Sequence, residues 1–249
     1  MGERFYAPEP PHGGRLRLSS NEAHHLSRVL RLGSGAEVEC FDGLGSAWKA
    51  RVGAVAKDAV DLEIVAELPR PAHPPIRLTL ATAIPKGDRV DWLIEKATEI
   101  GVDRLVPLRT ARSVVDPSPS KLERLRQRVI EACKQSGRNT LMRLENPVEW
   151  GRFLEVERLE NRLGWIACPG AESLGMGQSP PTQSVTLAIG PEGGFDPSEI
   201  EGAFSRGWRP IGLGPYILRV ETAGLAGAVV LLDGCYNGVS NAARRGNPN

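Results

Sequence analysis

Strand patterns and helix patterns alternate along residues 77–234, and this alternation restricts the possible folds more than any other feature of the chain. Helical patterns separate five short apolar runs. Those runs predict strands: RLTLATA (77–83), RLVPL (104–108), GWIAC (164–168), SVTLAIG (184–190) and RPIGLG (209–214). Because parallel strands need long crossover connections, usually helices, this order predicts a parallel sheet with helices on both faces.

Two of the helices in this region can be described from composition alone. Residues 89–100 carry apolar side chains on one face, and Gly101 ends the pattern. The run TAGLAGAVVLLDG (222–234) predicts a helix rich in small residues. Small residues allow close packing, either against a partner subunit or against the sheet of the same chain.

Two helix starts match the capping box, in which an N-cap side chain and a Glu three residues later bond each other's backbone. Asp196 and Glu199 supply these positions for one helix, with a proline between them at the first helical position. Ser120 and Glu123 supply them for another helix. In 120–139 six basic residues outnumber two acidic ones, which suits either a solvated face or contact with phosphate.

The residues before the proline-rich segment LPRPAHPPIR (68–77) have a different, mostly β pattern. Apolar and charged residues alternate over 48–52, and the Asp-Gly pair at 42–43 indicates a hairpin. One short helix is predicted between Asn21, as its N-cap, and Gly33 at its end.

The proline-rich segment therefore divides the chain into two predicted domains. We expect a small β-barrel-like domain over residues 1–72 and an α/β domain over residues 73–249, joined by a linker.

Composition excludes several classes of protein. No apolar run approaches the roughly 20 residues that span a bilayer, and the N-terminus lacks the apolar core of a secretion signal, so we expect a cytoplasmic protein. The four cysteines stand alone, which argues against a structural zinc site or a disulfide framework. All four histidines fall in the first third, so no His-based triad is predicted in the last two thirds of the chain. The net charge of +1 neither indicates nor excludes a nucleic-acid partner.

Two glycine-containing loops follow predicted strands, where open parallel sheets bind ligands. They read GPEGG (190–194) and LGPYILRVETAG (213–224). The first lacks the lysine of a phosphate-binding P-loop, and its glycine spacing differs from the dinucleotide fingerprint. A plain turn in which glycine supplies a positive φ is the simpler alternative.

Together with other blocks, these loops resemble the RsmE family of the SPOUT (trefoil-knotted) RNA methyltransferases. The matching blocks are KGDRVDWLIEKATEIGVDRLVPL (86–108), ARSVV (111–115), EACKQSGRN (131–139), IGPEGGF and LGPYILRVETA. HHLSRVLRLGSG followed by FDG resembles the PUA-like RNA-binding module of that family. The resemblance implies an α/β, SPOUT-type parallel sheet with a deep trefoil knot, preceded by a small PUA-like β-barrel domain.

The resemblance implies that S-adenosylmethionine binds in the knot, against three loops at 168–170, 190–194 and 213–222. Backbone groups of glycine-rich loops and a few apolar side chains would hold it. By motif match the cofactor-binding residues are Leu187, Gly190, Pro191, Glu192, Gly193, Gly194, Leu213, Gly214, Ile217, Leu218 and Thr222. The methyl donor is already a sulfonium, so no metal is expected.

The family methylates N3 of a uridine in 16S rRNA, which implies loss of the N3 proton and charge on O2 and O4 that donors must stabilise. Arg138, Asn139, Arg219 and Arg4 are the candidate catalytic residues. Glu99 and Glu221 are carboxylates that can orient them, and a water molecule is a possible base. Arg28 and Arg31 on the first helix are candidates for phosphate contact.

The resemblance further implies a homodimer acting on 16S rRNA or the small ribosomal subunit. The sequence departs from the family pattern at one position, where Tyr216 stands in place of the usual arginine of LGPR. Two alternatives therefore stay open: a knotted ribose 2′-O-methyltransferase, and an RNA-binding or ribosome assembly factor without catalysis. A nucleotide-hydrolysing enzyme is disfavoured because the P-loop lysine is missing.

Overall fold

The computed structural model describes residues 3–69, 76–157, 163–172 and 184–245, with the backbone alone for residues 19, 20 and 233–245. The chain divides into two compact units. The first comprises Met1–Ala72 and Ile130–Leu141, and the second comprises His73–Val129 and Met142–Asn249. Most of the predicted linker, residues 70–75, lies outside the described residues.

The first unit is built on a five-stranded sheet in the order β1-β3-β4-β5-β2. Only β1 and β3 pair in parallel, and the other pairs are antiparallel. The strands are β1 (Arg4–Tyr6), β2 (Arg15–Ser19), β3 (Glu37–Phe41), β4 (Ala47–Val55) and β5 (Ala59–Glu67). As predicted, Trp48, Ala50 and Val52 of β4 are buried. The predicted hairpin joins β3 to β4, where Asp42 Oδ1 accepts hydrogen bonds from the amides of Leu44 and Ser46.

The helix of the first unit differs from the prediction at both ends. Helix α1 begins at Ser20 rather than after an Asn21 cap, ends at His24 and continues into a π-helical turn, His25–Val29. The amide of Leu30 donates to His25 O at 3.0 Å, which is the wider bond of a π turn. Arg31 has a φ of +54°, so the chain leaves the helix before Gly33.

The second unit contains a seven-stranded, wholly parallel sheet. The strand order is β12-β10-β11-β6-β7-β8, and β9 also pairs with β7. The elements are β6 (Arg77–Ala83), α2 (Arg89–Ile100), β7 (Arg104–Arg109), α3 (Pro119–Ser136), β8 (Arg143–Leu144), β9 (Val148–Glu149), α4 (Trp150–Val156), β10 (Leu163–Ala167), β11 (Ser184–Ile189), α5 (Pro197–Phe204), β12 (Arg209–Ile211) and α6 (Val220–Arg245). The predicted parallel α/β sheet is confirmed.

Helices cover both faces of this sheet because neighbouring side chains along a strand point to opposite faces. On one face, Ala81 and Ala188 belong to a core cluster with Trp150 of α4 and Ala203 of α5. On the other face, α6 packs against the leucines next to these alanines, Leu80 and Leu187. The sheet is therefore the middle layer of three.

In the second unit, local signals predicted two helix ends correctly and one wrongly. Gly101 ends α2 with a φ of +106°, and α5 begins with the complete capping box of Asp196 and Glu199. Helix α3, however, begins at Pro119, and the amide of Lys121 donates to Ser118 Oγ at 3.3 Å. The predicted Ser120 cap is therefore wrong by two residues.

The strand order changes the interpretation of the two glycine loops. Strands β11 and β12 precede these loops but are not neighbours, because β10 lies between them. The loop after β10 contains CPG (168–170), so three consecutive strands, β12, β10 and β11, end in the three loops that the resemblance implicates. Their carboxyl ends meet at one edge because all pairs are parallel.

The backbones of two of these loops approach closely at Gly212. The Gly212 amide donates to Glu172 O at 2.9 Å, and the Cys168 amide donates to Ile211 O at 3.0 Å. A Cβ atom on residue 212 would lie 2.0 Å from Ala171 O, a distance that requires the backbone to move.

We therefore expect Gly212→Ala to lower the free energy of unfolding by about 1–3 kcal/mol, as overpacking does elsewhere. Gly151→Ala is the matched control, because a Cβ there meets nothing within 4 Å, and it should leave stability unchanged or raise it by up to about 1 kcal/mol. Urea denaturation followed by circular dichroism measures both. Equal stability of the two variants would contradict the close approach at Gly212.

Candidate active site

A cavity of about 440 Å³ lies at the carboxyl edge of the sheet in the second unit. Three chain segments line it, residues 167–170, 189–195 and 211–218, each at the end of one of the strands β10, β11 and β12. Val220 and Ala223 of the first turns of α6 complete the wall. The cavity is thus formed mainly by loop backbone and by apolar side chains.

Most of the cofactor-binding residues expected from the resemblance meet in this cavity. Nine of them line it: Gly190, Pro191, Glu192, Gly193, Gly194, Leu213, Gly214, Ile217 and Leu218. Leu187 instead lies within β11, where a Cβ on Gly227 of α6 would be 2.5 Å from its Cδ2 atom. Thr222 is exposed on α6 and is not among the lining residues.

Sequence reasoning did not single out the apolar side chains at the base of the cavity. Ile189 and Ile211 are the last residues of β11 and β12, and Phe195 follows the glycine turn. All three are buried. In the sequence, each of these residues lies directly before or after a glycine loop. That position would have identified them.

The GPEGG segment is a tight turn supported by an aromatic side chain. The Gly194 amide donates to Pro191 O at 2.8 Å, and Gly194 has a φ of +69°. A Cβ on Gly190 would lie 3.0 Å from the ring of Phe195, which itself packs against Trp150 at a centroid distance of 4.8 Å. Glycine at position 190 therefore reflects close packing, and the simple-turn alternative accounts for Gly194 alone.

Arg112 holds this turn from outside the three loops. Its Nη1 atom donates to Gly193 O at 2.8 Å and its Nη2 atom to Asp196 Oδ2 at 3.2 Å. Hydrogen bonds from Ser198, together with the positive charge of Arg112, keep the pKa of Asp196 below its usual value. The neighbouring Ala111 amide donates to Glu199 Oε1 at 2.9 Å. The ARSVV block therefore braces the GPEGG turn and the start of α5.

Arg89 at the start of α2 links two carboxylates beside the cavity. Its Nη2 atom lies 3.4 Å from Glu192 Oε1, and its Nη1 atom lies 3.6 Å from Glu221 Oε1. Glu221 is buried, and its Oε2 atom has no hydrogen-bond partner in the described part of the chain. Among the carboxylates in the described part of the chain, Glu192 alone lines the cavity. Arg89 was not predicted from the sequence, where its position in the KGDR block is the one feature that distinguishes it.

Two catalytic candidates, Arg4 and Asn139, are buried against each other in the first unit. Arg4 Nη2 donates to Asn139 Oδ1 at 2.5 Å, and its guanidinium lies 5.0 Å from the centroid of the Phe41 ring. Burial lowers the pKa of Arg4, and the nearby carboxylate of Glu39 opposes that shift. The Asn139 carbonyl accepts a bond from the Gly45 amide at 3.1 Å. These contacts hold residue 139 against β1 and the hairpin loop.

The other two catalytic candidates are more accessible. Arg138 is half-buried in the first unit, and its Nε atom donates to Thr140 O at 2.6 Å. Arg219 is exposed directly before α6, and its carbonyl accepts a bond from the Ala223 amide at 2.8 Å. Within the described residues Arg219 has no ion-pair partner. Glu99, a suggested orienting residue, pairs with Lys96 on the surface of α2.

Most basic residues of α3 pair with carboxylates of the protein. Lys121 and Arg124 both bind Asp91 Oδ2, at 3.0 and 2.9 Å. In the first unit Lys134 binds Glu22 at 3.1 Å. These pairs favour a role within the protein over a free phosphate-binding face. Among the residues whose side chains are described, Arg28 and Arg31 have no such partner, and both are exposed.

The small-residue helix packs against its own sheet. A Cβ on Gly224 would lie 3.3 Å from Leu80 Cδ2, and one on Gly227 would lie 2.5 Å from Leu187 Cδ2. Packing within the chain therefore explains both glycines, and the homodimer stays a prediction. No helix in the described part of the chain is long and apolar enough to cross a membrane. Searched over the same residues, no group of three or more His, Cys, Asp and Glu side chains is arranged to hold a metal ion.

Comparison with known proteins places both units in one kind of enzyme. A family model described as an RNA methyltransferase domain matches residues 72–232, and one described as an RNA methyltransferase PUA domain matches residues 18–65. Ribosomal RNA small subunit methyltransferase E from Synechocystis sp. is 36% identical over 222 residues, which cover 87% of this chain and 72% of that protein. Its counterpart from Bacillus subtilis is 30% identical over 222 residues, covering 84% and 86%.

A solved structure shows the same similarity in three dimensions. The crystal structure of ribosomal RNA small subunit methyltransferase E from Neisseria gonorrhoeae, bound to S-adenosyl methionine, superposes with a TM-score of 0.84. The two proteins are 32% identical, and the match covers 92% of this chain and 95% of the other.

Because Arg112 donates one hydrogen bond to Gly193 of the GPEGG turn and one to Asp196 just after it, Arg112→Ala should weaken S-adenosylmethionine binding about tenfold. Isothermal titration calorimetry measures the change. Arg126→Ala is the matched control, since Arg126 is a half-buried arginine of α3 that bonds Glu123 and Asn146 instead. The affinity of this variant should equal that of the unmodified protein. Equal affinity in both variants would show that the turn keeps its shape without Arg112.

Proposed function

Because the chain belongs to the ribosomal RNA small subunit methyltransferase E family, we propose that it transfers a methyl group from S-adenosylmethionine to N3 of a uridine in 16S rRNA. The observation that carries the proposal is the cavity built from three loops at one edge of the parallel sheet. It lies inside the part of the chain that matches the RNA methyltransferase domain. The N3 position rests on the resemblance of the sequence blocks to that family.

The cavity suits S-adenosylmethionine in size and chemistry. Its volume of about 440 Å³ lies within the range of cofactor sites. Ile189, Ile211 and Leu213 offer an apolar surface for the adenine ring. Gly193 and Gly194 have no side chain to keep the ligand from the backbone amides and carbonyls. We assign cofactor binding to these loops and retain Leu187 and Thr222 as supporting residues.

When bound, the cofactor supplies an electrophilic methyl group on its sulfonium. The protein must then remove the proton of the N3 imide and stabilise the charge that this leaves on O2 and O4 of the base. We propose Glu192 as the proton acceptor, because it is the carboxylate that lines the cavity. Arg89, 3.4 Å from it, orients its side chain. A water molecule is the alternative acceptor.

Stabilisation of the oxyanion is proposed for arginine and amide donors. Arg219 is the candidate next to the cavity wall, exposed and adjacent to Leu218. Arg138, Asn139 and Arg4 stay candidates on the strength of the motif match, although the burial of Arg4 and Asn139 favours a positioning role for those two.

The wider assignments are also proposals. We propose that the substrate is 16S rRNA or the small ribosomal subunit, that the enzyme is a cytoplasmic homodimer without a metal, and that the cofactor loops belong to a trefoil knot. Residues 1–72 are proposed as the PUA-like RNA-binding domain and residues 73–249 as the methyltransferase domain. Family membership supports each of these assignments, and the match of residues 18–65 to a PUA domain supports the first domain in particular.

The proposal is tested by cofactor binding followed by product mapping. We expect micromolar binding of S-adenosylmethionine by calorimetry, and we expect mass spectrometry of digested rRNA to find one new base-methylated uridine. Both naked 16S rRNA and small subunits lacking the modification serve as substrates. A methyl group on ribose would identify the 2′-O-methyltransferase instead. Binding of RNA without methyl transfer would identify the assembly factor, an alternative that the Tyr216 departure keeps open.

If Glu192 accepts the N3 proton, Glu192→Gln should lower kcat about 10²- to 10³-fold and change the Kd for S-adenosylmethionine only a few-fold. Single-turnover assays and calorimetry give the two values. Glu201→Gln, an exposed carboxylate of α5 away from the cavity lining, is the control and should behave as the unmodified enzyme. Unchanged turnover in Glu192→Gln would assign the proton to water. Loss of cofactor binding would assign Glu192 a role in binding S-adenosylmethionine only.

A further inference from the structure

Two large apolar side chains stand exposed on the loop between β12 and α6. Tyr216 is 82% exposed and Ile217 is 90% exposed, two of the three highest values among the exposed large apolar residues of the described chain. Both also line the cavity. A tyrosine that borders a ligand cavity while most of its surface faces water stands at the mouth of that cavity.

The loop that carries Tyr216 is anchored at both ends. At its start the Gly212 amide bonds Glu172 O at 2.9 Å, and at its end the Ala223 amide bonds Arg219 O at 2.8 Å. Pro215, directly before Tyr216, restricts the backbone further. The backbone of Tyr216 is therefore held at a defined place at the edge of the cavity.

The proposed reaction supplies the kind of group that would cover such a ring. N3 lies on the pairing edge of uridine, so the base must be unpaired and drawn out of its stack before it can react. Proteins hold such bases by stacking them on aromatic side chains, and each stacked base contributes about 1–3 kcal/mol. Phe195, the other aromatic residue of the cavity lining, is 6% exposed and cannot serve.

Charge near the loop is consistent with a nucleotide as the occupant. Arg219, three residues after Tyr216, is exposed and has no ion-pair partner in the described chain. A guanidinium three residues further along the same loop can bind the phosphate attached to a stacked nucleotide. Other exposed aromatic side chains, Trp92 and Phe204, lie on helices and outside the cavity lining.

We propose that Tyr216 forms the acceptor-base subsite: its ring stacks on the uridine to be methylated and holds it over the cofactor cavity. The inference rests on the proposed function. It also gives the departure from LGPR a physical meaning, because an aromatic ring replaces a cation and contributes contact with the base instead of charge.

The test compares Tyr216→Ala, Tyr216→Phe and the control Phe204→Ala, which removes a partly exposed aromatic ring outside the cavity lining. Turnover is measured on small ribosomal subunits lacking the modification. RNA binding without turnover is measured by fluorescence anisotropy with a short fluorescein-labelled oligouridylate, and S-adenosylmethionine binding by calorimetry.

We expect Tyr216→Ala to raise the KM for subunits and the Kd for oligouridylate about tenfold, with the cofactor Kd changed less than about threefold. Tyr216→Phe keeps the ring and should match the unmodified enzyme, as should Phe204→Ala.

Three results would overturn the inference: unchanged RNA binding and KM in Tyr216→Ala, an equal loss in Tyr216→Phe, or a change of oligomeric state in Tyr216→Ala by analytical ultracentrifugation. The last result would place the exposed loop in a subunit interface. The measurement of oligouridylate binding distinguishes failure of the base subsite from failure of the proposed function. An unmodified protein that transfers no methyl group fails the proposed function, while weaker oligouridylate binding by Tyr216→Ala alone still supports the base subsite.

Discussion

The parallel pairing of β10 between β11 and β12 is the constraint on which the candidate site depends. Parallel strands end on the same side of a sheet, so this one arrangement brings three loops from distant parts of the chain to a common edge. The loops after β10 and β12 are then held to each other by the backbone bonds from Gly212 to Glu172 and from Cys168 to Ile211. Ligand recognition by backbone groups requires such fixed geometry, because a main-chain amide cannot change rotamer to find its partner.

Much of this fold could be predicted from local patterns. The apolar runs identified the five main strands, and the Asp196–Glu199 capping box and the αL Gly101 identified helix ends, since these signals depend on a few neighbouring residues. The family membership that the motif blocks predicted is confirmed by the matches to the RNA methyltransferase domain and to relatives up to 36% identical.

The features that were predicted wrongly or missed depend on interactions between distant residues or on competing local signals. Strand order cannot be read from chain order when crossovers reverse direction, so β10 was not expected between β11 and β12. The two-residue strands β8 and β9 and the short helix α4 are too brief to show a period. Ser118 and Ser120 are equally good caps by type, and only the backbone path selects Ser118. Arg112 and Arg89 were missed because their partners, Gly193 and Glu192, lie 81 and 103 residues further along the chain.

The distribution of charge is as informative as the fold. The basic residues of α3 suited either a solvated face or contact with phosphate, and in the structure carboxylates such as Asp91, Glu95 and Glu22 bind them. A guanidinium that is paired with a carboxylate must lose that partner before it can bind phosphate. This reduces the free energy gained from phosphate binding. The exposed arginines with no such partner in the described chain, among them Arg28, Arg31 and Arg219, need no such exchange.

Tryptophan residues are packed near the cavity, so their fluorescence is sensitive to ligand binding. Phe195 lines the cavity and packs on Trp150, and the Trp150 indole nitrogen donates to Glu199 O at 3.0 Å, within the capping box that follows the glycine turn. Trp208 lies 5.6 Å from Trp150 between ring centroids. Two indoles thus share a rigid cluster with the base of the ligand site. Any ligand that shifts Phe195 or the turn changes the surroundings of these indoles, so the intrinsic tryptophan fluorescence of the chain reports on the occupancy of its cavity.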